Sequence, residues 1–205
     1  SMNYTGPKVR ISRKLRMPLT AKAERVMEKK PYPPGDQGGG QGRRRKESIY
    51  KRQLVEKQRI RAIYNIHEKQ MVIYYKKATN MQMHTPEALV QLLEMRLDAV
   101  VAHGGLARTI YAARQYVNHG HIEVNGKRVD ITSYRVKVGD VISVREKSKK
   151  MPAFEDATSA TPHVPEYLEL DKEKLQIKVT SVPQQSDVPY LKDCDLSLVI
   201  EFYSR

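Results

Sequence analysis

Between residues 108 and 135 the chain concentrates side chains that donate hydrogen bonds: Arg108, Arg114, Gln115, Asn118, His119, His121, Lys127, Arg128 and Arg135. Guanidinium and ammonium groups bind phosphate oxygens, and amide and imidazole groups reach sugar hydroxyls. The set therefore suits the backbone of a nucleic acid. Other chemistry is poorly served. His119 and His121 flank Gly120, but no third His, Cys or carboxylate lies at ligand spacing, so no metal is expected. The run Gly38-Gly39-Gly40-Gln41-Gly42 has no preceding strand and no Gly-Lys-Ser/Thr, which argues against a nucleotide loop. No Ser/His/Asp arrangement stands out. Catalytic residues, cofactors and a small-molecule substrate are accordingly not expected.

The elements that must hold these donors can be read locally. Thr109 can accept a hydrogen bond from the free amides of a first helical turn, so a short helix is predicted over residues 110–118. Gly120 can close that helix in the left-handed conformation. A strand over 122–124, the turn Asn125-Gly126 and a return strand over 127–129 follow, because Asn-Gly satisfies a turn whose two central residues both need positive φ. On the helix, Arg114 and Asn118 are four residues apart and share a face. Arg114 has two open assignments. It can point outward to a phosphate, or pair with Asp98 or Glu94 inside the module.

The run 113–131, Ala-Arg-Gln-Tyr-Val-Asn-His-Gly-His-Ile-Glu-Val-Asn-Gly-Lys-Arg-Val-Asp-Ile, resembles the small helix–helix–hairpin RNA-binding module of the family of ribosomal protein four of the small subunit. Pseudouridine synthases and tyrosyl-tRNA synthetases carry a related module. From Tyr4-Thr-Gly-Pro-Lys8 to Glu201-Phe-Tyr-Ser-Arg205 the chain resembles the ribosomal family alone. The resemblance implies direct binding of small-subunit ribosomal RNA at a junction in its 5′ domain, and nucleation of subunit assembly. It also implies a share in translational accuracy, contact with ribosomal protein five of the small subunit, and a place where mRNA enters. In many members it implies repression of the protein's own message. The expected location is the cytoplasm, in the ribosome, with a chloroplast as the alternative. Some members hold zinc near the N-terminus with four cysteines; here Val9, Ser12 and Val26 occupy three of the matching positions, and no thiolate is left to bind it. Many members also place a basic residue just after the module's helix cap, where this chain has Ile110 and carries Arg108 before the cap instead.

Charge supports a polyanionic partner. Of the net +14, residues 1–61 carry +13 and residues 108–150 carry +6, with a neutral stretch between them and −5 over 151–205. Solubility alone would not require such segregation. The first block contributes Lys8, Arg10, Arg13, Arg43, Arg44, Arg45, Lys46, Arg52, Lys57, Arg59 and Arg61 as candidate RNA contacts. No apolar run approaches the length of a membrane span, so no membrane partner is expected. With two Phe and no Trp, the core must rely on aliphatics, Met and Tyr. The single Cys194 rules out an intramolecular disulfide.

The remaining elements follow from pattern. Pro31-Tyr-Pro-Pro-Gly35 and Gly38-Gly-Gly40 predict an extension over 1–46 without regular structure beyond a turn at 26–30, ordered on RNA; its removal should leave the rest folded. A basic helix is predicted from Ser48 to Asn65 and a second over 67–78. Thr85-Pro86 predicts the start of a third, which runs amphipathically to Gly104 with Thr85 as its cap. Strands are predicted over 134–138, 141–144, 167–170 and 175–182, with a loop over 153–165. The segment 196–203 fits both periods, and a helix is expected. Together these give an α+β protein: a basic N-terminal extension (1–46), a mostly helical first domain (47–95) completed by 190–205, and an RNA-binding module with a small antiparallel sheet (96–189). A rival exists in Arg96-Leu97-Asp98, since pseudouridine synthases use an Arg-Leu-Asp aspartate in catalysis. Here the motif lies in a helical pattern, lacks that family's Thr- or Ser-Gly-Leu continuation, and precedes the module, with only 107 residues after it. A free-standing RNA chaperone is a third reading.

Overall fold

The computed structural model describes residues 4–35, 47–160 and 162–205. Arg43, Arg44, Arg45 and Lys46 of the candidate set lie outside these. The chain forms two compact units, residues 1–75 with 193–205, and residues 76–192.

The first unit is helical. Helices α1 (Lys8–Leu15) and α2 (Ala21–Lys29) pack together, and α1 also packs on α3 (Ile49–Tyr64). Their presence corrects the expectation of an extension without regular structure. The prolines fall where helices tolerate them: Pro7 precedes α1, Pro18 lies between the two, and Pro31, Pro33 and Pro34 follow α2. Thr20 accepts from the Ala23 amide at 3.1 Å and starts α2, while Leu15 and Ala23 are buried. Two short helices thus gain from each other what neither could hold alone. Ser48 caps α3, and Asn65 ends it in the left-handed conformation, φ 50°. Helix α4 (Glu68–Asn80) follows, and α9 (Leu196–Tyr203), capped by Asp195, packs along α3. A helix at 196–203 is what the sequence led us to expect.

The second unit holds α5 (Thr85–Glu94), α6 (Leu97–His103), α7 (Ile110–Asn118), α8 (Pro152–Ser159) and an antiparallel five-stranded sheet in the order β2-β1-β3-β5-β4. Its strands are β1 (Ile122–Val124), β2 (Lys127–Arg128), β3 (Val141–Val144), β4 (Leu168–Asp171) and β5 (Gln176–Val179). Ile122 pairs with Val144, Val124 with Ile142, and Ile142 in turn with Ile177, so buried residues line up across three strands. Among the fully buried side chains are Tyr64, Tyr167 and Met71, the residue types a Trp-free core was expected to use.

Five sequence expectations need correction here. The long helix from Thr85 to Gly104 is two helices, because Arg96 turns extended (φ −72°, ψ 143°) and bridges to Arg135. Amphipathic spacing continues through the break and hides it. Helix α5 begins at Thr85 itself, after His84, and has no side-chain cap bond. Residues 134–138 contribute that one bridge and no strand. The supposed loop over 153–165 opens with α8, which Pro152 starts and which buries Phe154 and Ala157. At the other end, Leu175 sits at φ 52°, and the strand expected over 175–182 is limited to β5.

Candidate nucleic-acid interface

Helix α7 and the β1–β2 hairpin form the corner that carries the module's donors. Thr109 accepts from the Ala112 amide at 3.1 Å, and Ile110, Ala113 and Val117 bury one face of α7 against α6. That leaves Gln115, Asn118 and His119 exposed. Asn125 and Gly126 both have positive φ, 52° and 79°, as the hairpin turn requires. Gly120 takes φ 75°, which favours glycine, and a Cβ there would overlap the guanidinium of the exposed Arg128, whose flexible end would have to move aside. The Arg128 side chain therefore lies over the corner where α7 turns into β1. Gln115, Asn118, His119, Lys127, Arg128 and Arg135 are exposed, and their side chains make no hydrogen bond or ion pair to the other described residues.

Other candidates are committed internally. Arg114 donates from Nη1 to Asp98 Oδ2 at 3.0 Å, which selects one of its two assignments: it pairs with Asp98, not Glu94, and its side chain is largely covered. Arg108 is exposed and pairs with Asp156 at 2.8 Å. His121 shares a 2.7 Å hydrogen bond through Nδ1 with Ser148 Oγ, and its pKa lies below the usual 6.5. Burial is the main cause, and His119, Arg145 and Arg128 add unfavourable positive charge. Ser148 and Arg145 are absent from the candidate residues; they lie 27 and 24 residues from His121 in the basic run 145–150, and no local pattern ties that run to His121. The two histidine rings are 6.3 Å apart, and no group of three metal-ligating side chains occurs among the described residues.

In the first unit, Arg10 and Arg52 are exposed and free of side-chain partners among the described residues. Arg13 donates to the Tyr32 carbonyl at 3.0 Å and lies over that ring, while Lys8 donates to the Tyr4 carbonyl at 3.2 Å. Lys57 is buried against Glu68 at 3.1 Å and lies over the Phe202 ring. Arg59 bonds the Leu15 carbonyl at 2.9 Å and Glu56 at 3.1 Å, and Arg61 bonds the Ile66 carbonyl at 3.2 Å. A cleft of about 590 Å³ near α1 and α3 is lined by Lys14, Arg16, Lys51, Arg52 and Arg59 with Leu54. Basic spacing marked all of these alike, and only packing separates the outward ones from those that brace helices.

The Arg-Leu-Asp motif is internal. Asp98 is fully buried, and each of its oxygens receives two hydrogen bonds: Oδ1 from Arg96 Nε (3.0 Å) and the Ala99 amide (2.7 Å), Oδ2 from Arg96 Nη2 (2.9 Å) and Arg114 Nη1 (3.0 Å). A carboxylate so satisfied and enclosed is a structural anchor. Nearby, Glu94 is also buried and accepts from the Tyr167 hydroxyl, with His103 Nδ1 at 2.9 Å.

Comparison with known proteins places this architecture. The family described as the ribosomal protein S4/S9 N-terminal domain matches residues 3–94, and the S4 domain family matches residues 95–142. Small ribosomal subunit protein uS4 of Streptomyces avermitilis is 46% identical over 207 residues, covering 99% of each chain. The uS4 proteins of Micrococcus luteus and Geobacillus stearothermophilus are 48% and 45% identical over 202 residues; the first covers 96% of this chain and 95% of its own length, the second 98% of each. The chain belongs to the uS4 family. The S4 domain match begins at Met95, where α5 gives way to the extended Arg96. In this member of the uS4 family the domain thus opens on the ion pair that anchors Asp98.

Proposed function

We propose that this chain is a structural constituent of the small ribosomal subunit that binds small-subunit ribosomal RNA directly and catalyses no reaction. One observation carries the RNA contact: five donors stand exposed and uncommitted on the α7–hairpin corner, with Arg135 exposed in the segment that follows, and the stretch has net positive charge. Folded RNA is recognised by shape and by phosphate and 2′-hydroxyl contacts, and donors fixed on rigid elements suit that task. Arg10 and Arg52 supply a second contact surface, and the charge of the basic run 43–46 makes it a further RNA contact. The finer reading follows the family: a junction in the 5′ domain as the binding site, early binding that nucleates assembly, a share in accuracy, contact with ribosomal protein five, and proximity to incoming mRNA. Repression of its own message belongs to the same reading. The organisation into an extension (1–46), a first domain (47–95 with 190–205) and a module (96–189) remains our assignment of labour along the chain. The cytoplasmic ribosome is the proposed location, with the chloroplast ribosome as the alternative.

Purified small subunits from the source cells should contain this chain at one copy per subunit, and a 5′-domain transcript should bind it tightly. Absence from the subunits, or equal affinity for any RNA of matching length, would overturn the assignment.

A further inference from the structure

The segment 131–136 has a role that its charge alone does not describe. It is irregular in backbone but firmly held. The Tyr134 amide donates to the Ile131 carbonyl at 3.1 Å, closing a turn that brings residues 131 and 134 close together. The start of α6 then clamps it: the Leu97 amide donates to the Tyr134 carbonyl at 2.9 Å, the Asp98 amide to the Thr132 carbonyl at 3.2 Å, and the Val136 amide to the Met95 carbonyl at 2.9 Å. Leu97 and Val136 are buried beneath. Yet the two ends of the turn face water, Ile131 at 58% exposure and Tyr134 at 37%. The Tyr134 side chain has no hydrogen bond or ring contact among the described residues.

A single exposed apolar side chain is ordinary. Two large ones at the ends of one clamped turn, with Lys127, Arg128, Arg135 and Lys137 nearby in sequence and only Asp130 against them, form a basic, preordered stacking surface. Aromatic rings stack bases without regard to sequence, and adjacent cations hold the phosphates; a base within a duplex is already stacked and cannot offer its face. We propose that the turn 131–134 receives an unpaired RNA base on the Tyr134 ring, beside Ile131, while Arg135 holds the flanking phosphate. This rests on the RNA-binding reading above and adds to it a preference for an unpaired nucleotide.

The absence of Trp from the chain makes the test specific, because Tyr134→Trp introduces a lone indole. Its fluorescence should be quenched by a small-subunit 5′-domain transcript and much less by a fully paired duplex of equal length at equal occupancy. Tyr134→Ala should weaken binding to the transcript by roughly 5- to 150-fold, the range expected for one stacked base, whereas Tyr134→Phe should bind like the parent. Tyr134 is 37% exposed, so losing the covered part of the ring should lower the melt of Tyr134→Ala somewhat, whereas Tyr134→Phe should melt like the parent; affinities are compared on the folded protein. An unquenched indole on fully bound transcript, with Tyr134→Ala at parental affinity, would overturn the stacking role and leave RNA binding intact. Failure of every variant and the parent to bind the transcript would remove both. Quenching by small-subunit proteins without RNA would assign the turn to a protein partner and also overturn it.

Discussion

Arg114 shows how a side chain suited to phosphate can be held by its own protein. Its guanidinium contributes one of the four hydrogen bonds that satisfy Asp98 among the described residues, and Arg96 contributes two. Arg114→Ala should therefore lower stability by about 1.5–3 kcal/mol, the value of a hydrogen bond to a charged group. Asp98→Ala should cost more, about 3–5 kcal/mol, because it removes the carboxylate that accepts two hydrogen bonds from the buried Arg96 and one from Arg114. Chemical denaturation of both variants checks the order, and equal losses would mean that Arg96 finds another acceptor. His121 offers a pH test. Its pKa in the folded chain lies below the ordinary 6.5, so as pH falls through that value the unfolded chain takes up the proton first and stability declines toward acid. Nearby phosphate would favour the charged ring. An NMR titration should place the His121 midpoint below 6.5 in the free protein and move it upward on RNA binding.

Elements here are stabilised by neighbours more than by their own composition. Helices α1 and α2 persist in a Pro-containing stretch because they bury Leu15 and Ala23 and because Arg59 of α3 bonds the Leu15 carbonyl. Deleting residues 1–46 should leave the remainder folded but less stable, on the order of 1.5–3 kcal/mol for the loss of one buried Leu, with a lower melting temperature. An unchanged melt would mean that α1 adds nothing to α3. At the α7–β1 corner, Gly120 serves the helix end and the Arg128 side chain together. Gly120→Ala should cost about 1–2 kcal/mol for a left-handed Ala and also displace Arg128. It should thus lower both the melting temperature and the RNA affinity, measured separately on the folded protein. Thr109→Ala, which weakens only the start of α7, serves as the contrast.

For the whole molecule, the segregated charge governs association. Blocks of +13 and +6 displace counterions from RNA, so affinity should fall by about 10³–10⁵ between 50 and 200 mM salt if six to ten phosphates are engaged. A titration with a nearly flat slope would be incompatible with binding through both blocks. Among the described residues no helix is long and apolar enough to cross a membrane.

By itself the sequence determined what depends on near neighbours along the chain. Thr109, Gly120 and Asn125-Gly126 set the ends of α7 and the hairpin because capping and positive φ are decided within a few residues. Asn65 marked the end of α3 for the same reason, and the charge blocks were visible without any fold. Tertiary structure alone decided what depends on distant partners. The break at Arg96 exists because Arg96 and Arg135, 39 positions apart, pair their backbones and because Asp98 is buried beside them, while apolar periodicity runs on undisturbed. Helix α8 formed in a segment of weak pattern because Phe154 found a core. The division of the basic residues into outward donors and inward braces was likewise invisible. A guanidinium reads the same in sequence whether it stands exposed, as Arg128 does, or meets a buried carboxylate, as Arg114 does, since only three-dimensional packing brings Asp98 within 3.0 Å of it.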